Sequence, residues 1–186
     1  MKISIVAARS FNYLLFLCSF CLPLFPSVLP VLIILITLSW FLLSSFEEKL
    51  GRLNQNKFYL LFSSIYILYL IGLCYSENLT YGYKDVELKL SLLLFPLIFG
   101  SIPLLEKQIF QSVFKGFILG CAIALILCLF YALYYYSVEL YHISNNVKTD
   151  HIGIYWFLFG KFSLFLHPSY FSMYLCLALL MILYFY

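Results

Sequence analysis

The feature that most constrains this chain is an uncharged run that extends from Phe11 to Phe46. As a single helix the run would be about 54 Å long, whereas the hydrocarbon core of a bilayer is about 30 Å thick. Pro23, Pro26 and Pro30 interrupt it, and each proline removes a backbone donor and disfavours helix in the residue before it. The run therefore predicts two membrane-spanning helices, at 10–25 and 28–46, joined by a tight turn.

Four later apolar segments predict further spans. The six predicted spans cover residues 10–25, 28–46, 58–75, 90–105, 116–137 and 168–186. Every Asp, Glu, Lys and Arg lies outside them, as expected because a charge at mid-membrane costs about 2.5–3.5 kcal/mol on insertion scales. With 65% apolar and only 10% charged residues, the chain has too little polar surface for a water-soluble domain. The prediction is an all-α polytopic membrane helix bundle, one transmembrane domain of about six transmembrane helices plus one or two interfacial helices.

Basic residues predict the orientation of this bundle. With the N-terminus inside, the inner segments carry seven basic residues: Lys2, Arg9, Lys49, Arg52, Lys57, Lys107 and Lys115. The outer segments carry four: Lys84, Lys89, Lys148 and Lys161. The bias favours a cytoplasmic N-terminus. A net charge of +3 without a lysine- or arginine-rich run gives no reason to expect a nucleic-acid partner.

Two outer segments have patterns of their own. In residues 76–90, Leu79, Tyr83, Val86 and Leu90 recur at helical spacing, which predicts a short helix in the membrane interface. Asp85 and Lys89 would form an i,i+4 pair on it. Residues 138–150 are polar, and residues 152–166 are apolar but short for a span, so a re-entrant or interfacial helix is predicted there. If 152–166 did cross, the last span would reverse its direction.

No familiar catalytic motif or metal pattern is present. His142, His151 and His167 lie too far apart in sequence for a compact ligand set, and helix capping is the expected role of the first two. Cys18 and Cys21 form a C-x-x-C pair inside an apolar run, where cysteine behaves as a small hydrophobe. Neither a metal nor a cofactor is expected.

Three stretches carry a family resemblance. They are the residues from Tyr69 to Leu79 (YLIGLCYSENL), from Asp85 to Leu97 (DVELKLSLLLFPL) and from Leu164 to Leu175 (LFLHPSYFSMYL). Together with the N-terminal hairpin they resemble the N-terminal half of proteins of the O-antigen ligase and O-antigen polymerase family of Bacteroidetes-like bacteria. The resemblance covers essentially the whole chain and does not separate ligase from polymerase.

This resemblance implies a glycosyltransferase of lipopolysaccharide biosynthesis in the cell envelope, a multi-pass protein of the bacterial inner membrane. Family members move polysaccharide from an undecaprenyl-pyrophosphate carrier to an acceptor such as the lipid A core, without a metal or nucleotide sugar. Their proposed base and pyrophosphate-binding arginines lie on the periplasmic side, but Arg9 and Arg52 are the only arginines here and both are predicted to be cytoplasmic. We therefore expect a fragment of a longer protein, inactive by itself, to which no catalytic residue can be assigned.

Four residues are the candidates for substrate binding at the outer headgroup level: Lys84, Lys89, His167 and Tyr170. Each also has a structural interpretation, because lysines near helix ends snorkel and a histidine before Pro168 can cap a helix. Two other functions stay open. A small transporter or channel subunit would need ionisable groups inside its spans, and none is predicted there. A non-catalytic membrane partner shares every feature of the ligase-like fragment except activity.

Overall fold

A computed structural model describes residues 5–55, 58–102, 107–145, 156–158 and 161–185. These residues form eight α-helices and one 3₁₀ turn, and no strand occurs among them. The helices are α1 (Ile5–Cys21), α2 (Leu29–Leu43), α3 (Phe46–Gln55), α4 (Phe58–Leu73), α5 (Leu79–Leu88), α6 (Ser91–Ser101), α7 (Lys107–Ser144) and α8 (Pro168–Phe185). The predicted all-α class is confirmed.

Among the described residues, three helical segments are long and apolar enough to cross a membrane: Pro26–Leu43, Ile109–Ser144 and Pro168–Phe185. The other helices on predicted spans are shorter, at 17 residues for α1, 16 for α4 and 11 for α6. At 1.5 Å per residue they measure roughly 26, 24 and 17 Å, less than the hydrocarbon thickness. The expectation of about six spans is thus met for three helices by length and composition. Residues 103–106, at the end of the predicted fourth span, lie outside the described residues.

Several boundaries differ from the predicted ones. The break between the first two helices is confirmed, since α1 ends at Cys21 and a 3₁₀ turn at Pro26–Val28 precedes α2. However, α2 ends at Leu43, and Phe46 belongs to α3, a helix that was not predicted. Ser45 starts α3, because its hydroxyl accepts the amide of Glu48 at 3.5 Å. The spacing of Ser45 and Glu48 is that of a capping box, so the signal was present in the sequence.

The chain divides into two compact units, the first comprising Met1–Leu14 and Val31–Phe110. Within it, α4 and α6 are antiparallel, because Tyr59 at the start of α4 packs on Gly100 at the end of α6. A Cβ on Gly100 would lie 3.0 Å from the Cβ of Tyr59 and 3.1 Å from Cδ2 of Leu53. The missing side chain therefore lets α3 and α4 approach the end of α6.

Two basic residues of α3 satisfy the carbonyl groups at the ends of other helices. The buried Lys49 ammonium donates to the Phe41 carbonyl at 3.0 Å, in the last turn of α2. Arg52 Nη1 donates to the Ser101 carbonyl at 3.3 Å, at the end of α6. The last carbonyls of a helix lack intrahelical partners and carry partial negative charge, which cations near the C-terminus stabilise. The C-terminal ends of α2 and α6 thus lie at the same side of this unit, beside α3.

The second unit comprises Leu15–Pro30 and Gln111–Tyr186, and its centre is a line of small residues on α7. Gly116, Gly120, Ala124, Cys128 and Ala132 recur every four residues and all are buried. Small residues at this spacing let helix backbones approach closely in membrane proteins. A Cβ on Gly116 would lie 2.7 Å from the Phe16 carbonyl oxygen, which shows how close α1 comes.

Contacts along α7 fix the directions of its neighbours. Gly116 meets Ser19, Gly120 meets Pro23, and Ala124 clusters with Leu24, so the end of α1 runs parallel to α7. In α8 the order is reversed: Phe171 clusters with Cys128, Ala178 with Cys121, and Phe185 with Phe114. The α8 helix is therefore antiparallel to α7. This direction agrees with the prediction that 152–166 does not cross the membrane, although residues 152–155 and 159–160 lie outside the described residues.

Candidate functional site

Two of the three stretches that carry the family resemblance meet at α5, in the first unit. The predicted helix over 76–90 is present as Leu79–Leu88, and Asn78 begins it by accepting the Tyr81 amide at 3.4 Å. Leu79, Tyr83 and Leu88 are all more than half exposed. Aliphatic and aromatic side chains left uncovered on a short helix are suited to an interfacial position.

Lys89 is the candidate substrate-binding residue that has both an ion pair and a cation–π contact. Its ammonium is paired with the carboxylate of Asp85, which confirms the predicted i,i+4 pair. It also lies 3.8 Å from the centroid of the Tyr69 ring, at the far end of α4. The hydrogen bond from Lys89 to Asp85, and to a smaller degree Tyr69, raises the pKa of the Lys89 ammonium. A cation held in this way is fixed in direction and stays charged at neutral pH.

Lys84 lies five residues before Lys89 on the same helix and is exposed. Within the described part of the chain, neither a hydrogen bond nor an ion pair holds its ammonium. It can supply positive charge to the surface of α5, but it has no fixed direction.

His167 and Tyr170 lie at the start of α8, in the second unit. The Nδ1 atom of His167 accepts the Ser169 amide at 3.4 Å, and its carbonyl accepts the amides of Tyr170 and Phe171. His167 therefore caps the start of α8, which is the structural interpretation given above for this residue. The rings of His167 and Tyr170 lie edge to face at 6.3 Å, and both side chains are exposed. Of the four candidates, Lys84 and Lys89 thus lie in the first unit, and His167 and Tyr170 lie in the second.

A third cluster, in the second unit, was missed by the sequence reasoning. Glu139 is only 8% exposed, and its Oε2 accepts a hydrogen bond of 2.8 Å from the indole nitrogen of Trp156. Trp156 stacks on Tyr135 at 4.5 Å, and the Lys161 ammonium lies 4.5 Å from the centroid of the Trp156 ring. Residues 138–150 were expected to be a polar outer segment, but α7 continues to Ser144. The aromatic residues on either side of Glu139 were the available signal.

No family model, curated protein or solved structure matches this chain.

The chemistry offered by these residues is electrostatic binding. In the described part of the chain, no three His, Cys, Asp or Glu side chains lie together as metal ligands would. The six cysteines are free, and Cys18 and Cys21 are buried as the packing interpretation requires. Arg52 donates to the Ser101 carbonyl and lies 3.7 Å from Glu48, so it is held between α3 and the end of α6. Lys89 is held by Asp85 and Tyr69 at a partly exposed position at the end of α5.

Proposed function

We propose that this chain is part of an O-antigen ligase-like glycosyltransferase of the bacterial inner membrane. Such an enzyme moves polysaccharide from an undecaprenyl-pyrophosphate carrier to the lipid A core or a related acceptor. The observation that carries the proposal is the contact among Tyr69, Asp85 and Lys89. The stretches that contain these residues are the ones that resemble the family, and their contact orients an ammonium group on a helix suited to the headgroup layer.

The helix directions support a bundle of six spans with a cytoplasmic N-terminus. In the first unit, α2 and α6 end at the same side, where α4 begins. In the second unit, α1 is parallel to α7 and α8 is antiparallel to it. These are the directions that six alternating crossings require. The basic helix α3 then lies at the cytoplasmic side and α5 at the periplasmic side, as basic residues are distributed in membrane proteins.

In this proposal the four candidate residues bind and orient the lipid-linked donor. None of them is assigned the role of the catalytic base. Lys89 and Lys84 contribute positive charge for the pyrophosphate, whose attraction to an ammonium is strengthened near low-dielectric lipid. His167 and Tyr170 contribute a ring nitrogen and a phenol at the start of α8. Undecaprenyl-pyrophosphate-linked glycan and the lipid A core are the proposed partners, besides the bilayer.

Deletion of the gene from its own bacterium tests the function. We expect polymer-capped lipopolysaccharide to disappear from gels while lipid-linked polymer accumulates. Shorter polymers on the carrier would indicate a polymerase instead, and unchanged lipopolysaccharide would contradict the proposal.

Chromosomal point variants test the site. Lys89→Ala and His167→Ala should each reduce the fraction of lipopolysaccharide that carries polymer. The abundance of each variant in the membrane, measured by immunoblot, should stay unchanged. Lys89→Arg keeps the charge and should restore much of the activity lost in Lys89→Ala. If lipopolysaccharide carries the normal amount of polymer in both alanine variants, Lys89 and His167 only anchor their helices and do not bind substrate.

One observation favours a second candidate, a small transporter or channel subunit. The apolar span within α7 extends to Ser144 and so includes the buried Glu139. A transporter or channel needs ionisable groups inside its spans, and none was predicted there from the sequence. A solute-uptake defect caused by Glu139→Gln, with normal lipopolysaccharide, would favour the transporter. A non-catalytic membrane partner would show its phenotype only together with the enzyme it assists.

A further inference from the structure

A groove lies between α7 and α8 in the second unit. Its first part is a cleft of about 420 Å³ bordered by Gln111, Phe114, Lys115, Ile118, Ile182 and Phe185. A second cleft of about 260 Å³ shares Ile118 and Ile182 with the first and continues past Cys121 and Ala122 to Leu125. The two clefts therefore form one groove that follows both helices.

The groove has a polar end and an apolar remainder. Lys115 and Gln111 are one helical turn apart on α7, so their side chains project to the same side at the mouth. No acidic side chain is among the described residues that border either cleft. Beyond Ile118 the lining is entirely apolar or small, and Ala122 and Ala178 leave the space that larger side chains would fill.

The length of the groove fits one leaflet of a bilayer. From Lys115 to Leu125 the helix rises about 15 Å. The hydrocarbon core is about 30 Å thick, so an acyl chain that begins at Lys115 would reach the midplane at Leu125. The walls are formed by helices long and apolar enough to cross a membrane, which leaves the groove facing the acyl chains.

We propose that this groove binds an anionic glycerophospholipid, with its phosphate at Lys115 and Gln111 and one acyl chain along α7 and α8. A cationic mouth above an apolar slot matches a negative headgroup with its attached tail. Basic pockets between membrane helices bind such lipids at the cytoplasmic side, where anionic lipids are concentrated. With a cytoplasmic N-terminus, Lys115 lies at that side.

Native mass spectrometry of the detergent-purified chain tests the proposal with dioleoyl phosphatidylglycerol as the probe. Dioleoyl phosphatidylcholine is the uncharged comparison, and glycerol 3-phosphate tests whether the headgroup alone suffices. We expect phosphatidylglycerol adducts to survive at activation energies that remove phosphatidylcholine, and no adduct of glycerol 3-phosphate. Equal retention of the two phospholipids, or binding of glycerol 3-phosphate, would overturn it.

Two variants separate the headgroup from the tail. Lys115→Ala should weaken phosphatidylglycerol binding by about five-fold, the effect of one lysine near an anionic headgroup. The matched control is Lys161→Ala, which removes a lysine outside the groove and should change nothing. Ala122 is exposed and borders the apolar part of the groove, so Ala122→Phe should fill that part and reduce binding of both phospholipids. Ile126 is exposed on α7 but does not border the groove, so Ile126→Phe should not change binding.

Helical circular dichroism and gel filtration establish that each variant is folded. Unchanged phosphatidylglycerol binding in folded Lys115→Ala and Ala122→Phe would show that the lipid binds elsewhere. Because these experiments measure lipid retention, their outcome tests the lipid-binding proposal independently of glycan transfer.

Discussion

The indole nitrogen of Trp40 donates a hydrogen bond of 2.7 Å to the hydroxyl of Ser101, linking α2 to the last residue of α6. Both side chains are buried, and the Ser101 hydroxyl donates in turn to the Ile98 carbonyl at 3.0 Å. A buried polar link of this kind costs free energy when only one partner is removed, because the other is left unpaired. It therefore ties together two helices of the first unit that are distant in sequence.

Removing either partner should destabilise the protein. Trp40→Phe and Ser101→Ala should each lower the free energy of unfolding by about 1 kcal/mol, measured in detergent with increasing SDS. The double variant should lose less than the sum of the two, because the same bond is removed twice. Ser64→Ala removes an exposed hydroxyl and is the control. Strict additivity would show that the bond contributes nothing to stability.

The buried Lys49 predicts a pH dependence of stability. Burial lowers the pKa of the Lys49 ammonium below its usual 10.5. The unfolded chain then binds more protons than the folded one between the lowered pKa and 10.5, so folding stability should rise with pH across that window. Unfolding curves from pH 8 to 10.5 should show a smaller rise for Lys49→Met than for the unmodified chain. Lys84→Met, at an exposed lysine, should keep the original slope; equal slopes in all three proteins would contradict the prediction.

The line of small residues on α7 predicts which glycines are essential. A Cβ on Gly120 would collide with the Phe20 carbonyl oxygen and lie 2.9 Å from Cγ of Pro23. Gly120→Ala should therefore lower the unfolding midpoint in detergent, since backbone cannot yield as a side chain can. At Gly72 of α4 nothing lies within 4 Å of the added carbon. Gly72→Ala should be neutral or stabilising by up to about 1 kcal/mol. The opposite order of the two midpoints would show that α1 does not approach α7 as described.

Alkaline phosphatase fusions test the proposed orientation. The enzyme is active only outside the cytoplasm, so fusions after Asn78 and Asn146 should be active and a fusion after Gln55 inactive. Equal abundance of the three fusions must be established by immunoblot. The reverse pattern of activity would place α5 in the cytoplasm and exclude Lys89 from a periplasmic site.

Local features of this fold could be predicted from the sequence. The break at Pro23 and Pro26, the helix around Tyr83 and the pairing of Asp85 with Lys89 each depend on residues within a few positions of one another. Contacts between distant residues could not be predicted. Nothing near Lys89 in sequence indicates Tyr69, and nothing near Lys49 indicates that it is buried against the end of α2.

The extent of α7 was mispredicted for a related reason. Residues 138–150 were predicted to be a polar outer segment, but α7 includes Glu139 and continues to Ser144. A carboxylate in an apolar helix needs a partner. That partner is Trp156, seventeen positions later in the chain. The line of small residues from Gly116 to Ala132 was readable in the sequence, but which helices pack against it follows only from the fold.

The length of α7 has a mechanical consequence. Its 38 residues make a rod of about 57 Å. Membrane helices tilt by about 20° on average and rarely beyond about 40°, so in a membrane this rod would extend roughly 54 to 44 Å along the membrane normal. A whole bilayer with its headgroups measures about 40–45 Å. Rocking between these angles would raise or lower one end of α7 by up to about 10 Å relative to the other. The depth of Glu139 and Trp156 relative to the bilayer would then follow the thickness of the surrounding membrane.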